Sequence, residues 1–269
     1  MGEQQHDDLI DDYCLELLAA GRSPRTIATR RRQVRMICRT VDPHTATRKD
    51  LVRWLAHPAW KPSTRNSNRA AARSFFGWLL EAGRRTDDPS VRLPKVTVPP
   101  PVPHPAPERA LAEARRHAHG PYEQAMIELA ARAGLRRREI ATLRFTDLLV
   151  DVDGQAILRV LGKGGRVRVL PIPEDVAVMV RALRSPWVFP GRWAGQHVSE
   201  DQVGHTLSRL LGPGFSGHSL RHRYASRAYA ASHDLLAVQQ LLGHASPATT
   251  MGYVATNMDD LRRAALAAS

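Results

Sequence analysis

Apolar positions recur at helical spacing through the N-terminal third of the chain. Residues 5–20 read as an amphipathic helix with Leu9, Tyr13, Leu17 and Leu18 inward and Asp7, Asp8, Asp11 and Asp12 outward, stopped by Gly21. Ser23 and Pro24 stand where an N-cap and a first-turn proline belong, opening a second helix to about Val41 with Ile27, Val34, Ile37 and Val41 as its apolar stripe. Asp50 is expected to cap a short helix carrying Leu51, Trp54 and Leu55, and a fourth helix spans Ser63 to Gly83 with Phe75, Phe76, Leu79 and Leu80 as its apolar content. Residues 1–93 thus read as a small helical domain.

From Leu93 to Pro107 the chain runs LPKVTVPPPVPHPAP. So many prolines exclude a helix, and the weak alternation excludes a packed strand, so residues 94–106 are expected to form an extended linker. The segment 107–269 opens with helices over about 107–118 and 121–133. The pattern then changes at LLVDVDG, QAILRVLGKGG and RVRVLPI, which predict three short antiparallel strands. Asp153-Gly154 turns the first pair, and a Gly-flanked Lys163 tips the second. Beyond Pro173 the pattern is helical again, broken by PWVFPGRWAG and by Gly212 to Gly217. The expected fold class is mainly α with one small antiparallel sheet, in two domains.

Charge adds a partner to this picture. The formal net charge is +13, divided as +7 over residues 1–105 and +6 over the remainder, and 35 of the 39 basic residues are Arg. Two basic lobes suit closure on one long polyanion, and guanidinium forks suit phosphate, although a GC-rich genome also produces Arg excess. Arg31, Arg35 and Arg39 recur on one side of the second helix, and Arg65, Arg69 and Arg73 on one side of the fourth, so both rows are candidate DNA contacts. The two cysteines, Cys14 and Cys38, fall among apolar residues and read as buried free thiols in a reducing cytoplasm. No apolar run approaches the roughly 20 residues of a membrane span, and the acidic N-terminus is no signal peptide.

Candidate chemistry concentrates late in the chain, in GHSLRHRYASRAYA and QLLGHASPATTMGYVA. A helix starting near His218 puts His218 and Arg221 on one face, at an end that itself favours phosphate. Arg136, after Gly134, offers a second guanidinium. Two Arg forks can hold the non-bridging oxygens of a phosphodiester and stabilise the charge that grows on them, without a metal. Tyr253 can then serve as nucleophile. Its ordinary pKa of about 10 requires a base and local positive charge, which His218 and the arginines supply. Lys163 is placed to protonate the departing 5′ oxygen. His218 and His222 have the i, i+4 spacing of a zinc pair, but the glutamate of that motif and a third ligand are missing, so no metal is expected. Tyr224 and Tyr229 read as core or groove residues.

In their order, GLRRREIATLRFTDL, LGKGGRVRVLPI, HSLRHRYAS and LLGHASPATTMGY resemble the motif boxes of the tyrosine recombinases, the family of phage integrases and Xer-type enzymes. SPRTIATRRRQVR and TRNSNRAAARSFFGWLLEAG are similar to its helical, SAM-like core-binding domain. The resemblance implies a mixed α/β catalytic domain in which Arg136, Lys163, His218, Arg221, His244 and Tyr253 are catalytic and Glu139 orients the first arginine. It also implies cleavage through a 3′-phosphotyrosine and a Holliday junction, needing neither ATP nor metal.

The expected assembly is a homotetramer on double-stranded DNA, with the tail exchanged between protomers through Leu261, Ala264, Ala265 and Leu266. No arm-binding module like that of larger integrases is expected, which favours a short crossover site, and a directionality factor is compatible with such a system. Three functions fit these expectations: a compact integrase of a phage or mobile element, a Xer-like or plasmid dimer resolvase, and a non-catalytic DNA-binding regulator. The six filled positions argue against the third.

Overall fold

A computed structural model describes residues 2–100, 102–162, 165–183 and 186–243. As the pattern predicts, the described residues are mainly helical with one three-stranded antiparallel sheet. The chain divides into two units, Met1–Pro100 and Pro101–Ser269.

The first unit holds α1 (Gly2–Ala19), α2 (Pro24–Cys38), α3 (Arg48–Leu55) and α4 (Pro62–Glu81). Ser23 caps α2, its hydroxyl accepting from the Thr26 N–H at 3.2 Å. Thr47, not Asp50, caps α3: Asp50 sits three residues in and accepts from the Thr47 N–H at 3.0 Å, closing a reciprocal capping box. Tyr13, Phe75 and Phe76 are fully buried, Tyr13 meeting Phe75 edge-on at 5.3 Å and donating its hydroxyl proton to Ser74 at 2.7 Å.

Leu18, expected inward, is 58% exposed. The buried stripe of α1 runs through Leu9, Ile10, Tyr13 and Cys14, and position 18 lies a further helical step round from half-buried Leu17. The acids expected outward on α1 do face solvent, and arginines meet them there: Asp11 accepts from Arg31, and Asp7 accepts from Arg35 at 3.0 and 3.1 Å. Both cysteines are buried free thiols, and burial pushes Cys38 up to about 12.

The second unit begins with α5 (Glu108–His117), α6 (Gly120–Arg132) and α7 (Arg137–Ala141). Strands β1 (Leu148–Val150), β2 (Ala156–Leu161) and β3 (Val167–Pro171) follow in that order across the sheet, with Leu158 opposite both Leu148 and Leu170. The inward positions of β2 and β3, Ala156, Leu158, Val160 and Leu170, are buried in the same core as Leu129, Ile140, Val176 and Leu207. α8 (Glu174–Ala182), α9 (Glu200–Leu211), α10 (Gly217–Ser232) and α11 (Leu235–Leu242) complete the described α-helices.

The PWVFPGRWAG break is pinned to the body of this unit. The Val188 N–H donates to the Leu143 carbonyl at 2.9 Å, and the Arg144 guanidinium stacks 4.5 Å from the Trp187 ring.

Candidate active site

Three guanidinia from three elements meet at one carboxylate. Arg136 occupies the N-cap of α7, and Glu139, three residues on, reaches back to accept from the Arg136 N–H and from its Nη1, both at 2.8 Å. Arg168, on β3, donates Nη1 and Nη2 to the two Glu139 oxygens at 2.8 and 2.9 Å. Arg221, on α10, brings its Nη1 to 3.8 Å from Glu139 and donates to the carbonyls of Gly134 and Leu242. Burial alone would raise the Glu139 carboxyl, but hydrogen bonds and charge from Arg168, the Arg136 N–H and Arg221 outweigh it and hold the group at about 2. The carboxylate is therefore ionised at any physiological pH and fastens Arg136 and Arg221 to one point. Arg221 is 1% exposed, whereas the Arg136 side chain is 34% exposed and open to a ligand.

Backbone geometry builds this cluster. Gly134 has φ +62°, and a Cβ there would collide with the Tyr224 ring, so only glycine turns the chain and presents its carbonyl to Arg221. At the other side, Ser216 caps α10 by accepting from the His218 N–H at 3.2 Å. A Cβ on Gly217 would come within 2.7 Å of Leu207, so the start of α10 lies hard against α9.

His218 is exposed, with its ring edge-on to His222 at 4.7 Å. Partial loss of water around the ring, with electrostatic contributions from His222 and from the Arg221 and Arg136 guanidinia, pushes its pKa down to about 4. It is therefore a neutral imidazole at neutral pH, able to accept a proton beside two guanidinia. Tyr224 is half-buried, and burial raises its hydroxyl, in keeping with a packing role.

Arg136, Glu139, His218 and Arg221 are thus brought together. Lys163, His244 and Tyr253, like the tail positions Leu261 to Leu266, lie outside the described residues. Of the two arginine rows, Arg31 and Arg35 pair with α1 carboxylates, Arg65 donates to the His57 carbonyl at 3.2 Å, and Arg69 donates to the Leu93 carbonyl at 3.0 Å. Arg39 and Arg73 are exposed. Sequence reasoning missed Arg168, Gly134 as an acceptor, and Gly217. An arginine alternating with Val167 and Val169 reads as an outward strand residue, and nothing local marks it as the partner of Glu139. Among the described residues, no three His, Cys, Asp or Glu side chains are grouped as metal ligands would be.

Comparison with known proteins gives the family. Residues 105–260 match the phage integrase family, and residues 10–83 match its N-terminal SAM-like domain. The tyrosine recombinase XerD of Caulobacter vibrioides is 36% identical over 217 residues, covering 71% of this chain and 70% of that protein. The tyrosine recombinase XerC of Erythrobacter litoralis is 33% identical over 279 residues, covering 94% and 88%. Among solved structures, a lambda integrase dimer bound to a COC′ core site is similar with a TM-score of 0.75 at 19% identity, covering 96% of this chain and 78% of that one. XerH bound to a palindromic difH substrate in a post-cleavage complex is similar with a TM-score of 0.73 at 17% identity, covering 95% and 83%. At those identities the structural likeness speaks for the fold, while the sequence matches speak for the family. The chain belongs to the phage integrase family of tyrosine recombinases and is a site-specific DNA recombinase that works by transesterification.

Proposed function

We propose that this protein cuts and rejoins short crossover sites in double-stranded DNA to integrate or excise a phage or other mobile element. The observation that carries the chemistry is the joint fastening of Arg136 and Arg221 to Glu139, with neutral His218 beside them. In the proposed step the Tyr253 hydroxyl oxygen attacks the scissile phosphorus and gives up its proton to His218. Arg136 and Arg221 stabilise the non-bridging oxygens, with His244 as a further donor. The bond from phosphorus to the 5′ oxygen breaks, Lys163 protonates that oxygen, and a 3′-phosphotyrosyl link remains. Attack by the partner strand's 5′-hydroxyl reverses the sequence and restores the tyrosine. The bond energy stays in the phosphotyrosine, so joining requires no nucleotide cofactor.

Residues 1–93 are proposed to contact DNA, residues 94–106 to link, and residues 107–269 to carry the chemistry. Arg39 and Arg73 lead among the candidate phosphate contacts because both are exposed. Exchange through a Holliday junction would involve four copies on DNA with their tails shared, acting on the nucleoid in a bacterial cytoplasm. The described helices include none long and apolar enough to cross a membrane.

Dimer resolution of circular replicons is the second reading, favoured by the identity with XerC and XerD. Sequencing the junctions formed when the gene is supplied to cells carrying candidate sites separates the two. Integration joins two unlike sites to give two hybrid sites, whereas resolution joins two copies of one site. Products of the second kind alone would overturn the mobile-element reading.

A further inference from the structure

Arg168 is outside the six residues proposed to act on the phosphate, yet it touches the segments that deliver them. Besides its two bonds to Glu139 on α7, its Nε donates to the Leu241 carbonyl at the end of α11 at 3.0 Å. A Cβ on Gly243 would stand 2.9 Å from its Cδ, and a Cβ on Gly162, next in sequence to Lys163, would stand 3.7 Å from its Nη1. The end of β2, β3, α7 and the end of α11 therefore converge on one guanidinium. Its side chain is 11% exposed and that of Glu139 is 3% exposed, so the pair is shielded from water.

Charge explains why a third arginine belongs there. Arg136 and Arg221 serve a phosphate only if their positive charge is not spent on Glu139. A carboxylate matched by Arg168 can hold them in place while leaving the cluster net positive. We propose that Arg168 is a positioning residue for transesterification: it neutralises and orients Glu139 so that Arg136 and Arg221 face the phosphate in fixed places with their charge undiminished. The inference rests on the roles proposed above for Arg136 and Arg221.

A merely structural ion pair is the competing account, and the same unit supplies its control. Glu128 is likewise buried and takes two bonds from Arg115, at 2.7 and 2.8 Å. The test uses full-length wild type, Arg168→Met, Arg168→Lys and Arg115→Met on nicked duplexes of the crossover site recovered by junction sequencing. Each duplex carries either a normal scissile phosphate or a neutral methylphosphonate.

Arg168→Met, folded and still binding DNA, should form the phosphotyrosyl adduct roughly 100-fold more slowly on the phosphodiester, the scale of a catalytic group misplaced by an ångström. On the methylphosphonate, whose transition state carries one negative charge fewer, the deficit should shrink to about tenfold or less. Arg168→Lys keeps the charge without the fork and should fall between, and Arg115→Met should lose stability with rates unchanged per folded molecule. An equal deficit on both duplexes, or one matched by Arg115→Met, overturns the proposal. If Arg168→Met does not fold, Arg168→Lys is judged by the same comparison between duplexes. A wild-type protein that forms no adduct on the phosphodiester overturns the functional reading, and this inference with it.

Discussion

Glu139 accepts from Arg168 through both carboxylate oxygens and from Arg136 through both its backbone and its side chain. One buried carboxylate therefore fixes the strand, the short helix and, at 3.8 Å, the arginine of α10.

Removing that carboxylate should cost both stability and activity. Glu139→Ala leaves three guanidinia facing one another in a shielded site, and breaking a buried charge pair of this kind costs about 3–5 kcal/mol. Chemical denaturation of the variant should show such a loss, with Glu139→Gln intermediate. The pH dependence follows from the direction of the shift. The carboxyl is held at about 2 against an ordinary 4.5, so its contribution is complete above 4.5 and disappears as pH falls through about 2. Wild type should therefore lose more stability than Glu139→Gln between those pH values.

His218 should titrate near 4 in the DNA-free protein, measured by NMR on the imidazole protons. Its depressed pKa means that the unfolded chain takes up a proton before the folded one does. The histidine therefore withdraws stability as pH falls from about 6.5 toward 4 and is neutral in its effect above that window. Binding DNA adds negative charge beside the ring and should raise the midpoint. A midpoint near 6.5 in the free protein would mean that neither burial nor the charges of the neighbouring side chains act on the ring.

The arginine rows should separate into two groups. Replacing exposed Arg39 or Arg73 with Ala should weaken DNA binding and flatten the salt dependence by about one unit of slope per contact. Arg31→Ala breaks an exposed pair with Asp11 and should change stability by less than about 1 kcal/mol with the slope intact. Salt-dependent binding isotherms check both, and a flattened slope for Arg31→Ala would assign that side chain to DNA as well.

Much of this fold was legible in the sequence because its signals are local. Ser23-Pro24 opens α2, and Asp153-Gly154 turns β1 into β2 as the residue types require. The cap of α3 lies elsewhere than expected: the sequence points to Asp50, whereas Thr47 holds the cap and Asp50 is its reciprocal partner three residues on. Arg136, Glu139, His218 and Arg221 were legible as candidates through their spacing and motif order. What escaped depends on partners far along the chain. Arg31 and Arg35 look solvated until α1 lies against α2, and Arg168 looks like an outward strand residue until Glu139, 29 positions earlier, is packed beneath it. Leu18 illustrates the converse, since an apolar residue one step past the buried stripe stays in water at little cost.

In the proposed reaction Tyr253 makes the covalent bond to DNA, with the arginines of the Glu139 cluster holding the phosphate. Wild type and Tyr253→Phe should be incubated with a nicked suicide duplex of the crossover site, then denatured and resolved by gel electrophoresis. Wild type should give a denaturant-stable protein–DNA adduct and Tyr253→Phe should bind the duplex without forming one. An adduct that persists in Tyr253→Phe would place the nucleophile on another residue and overturn the role proposed for Tyr253.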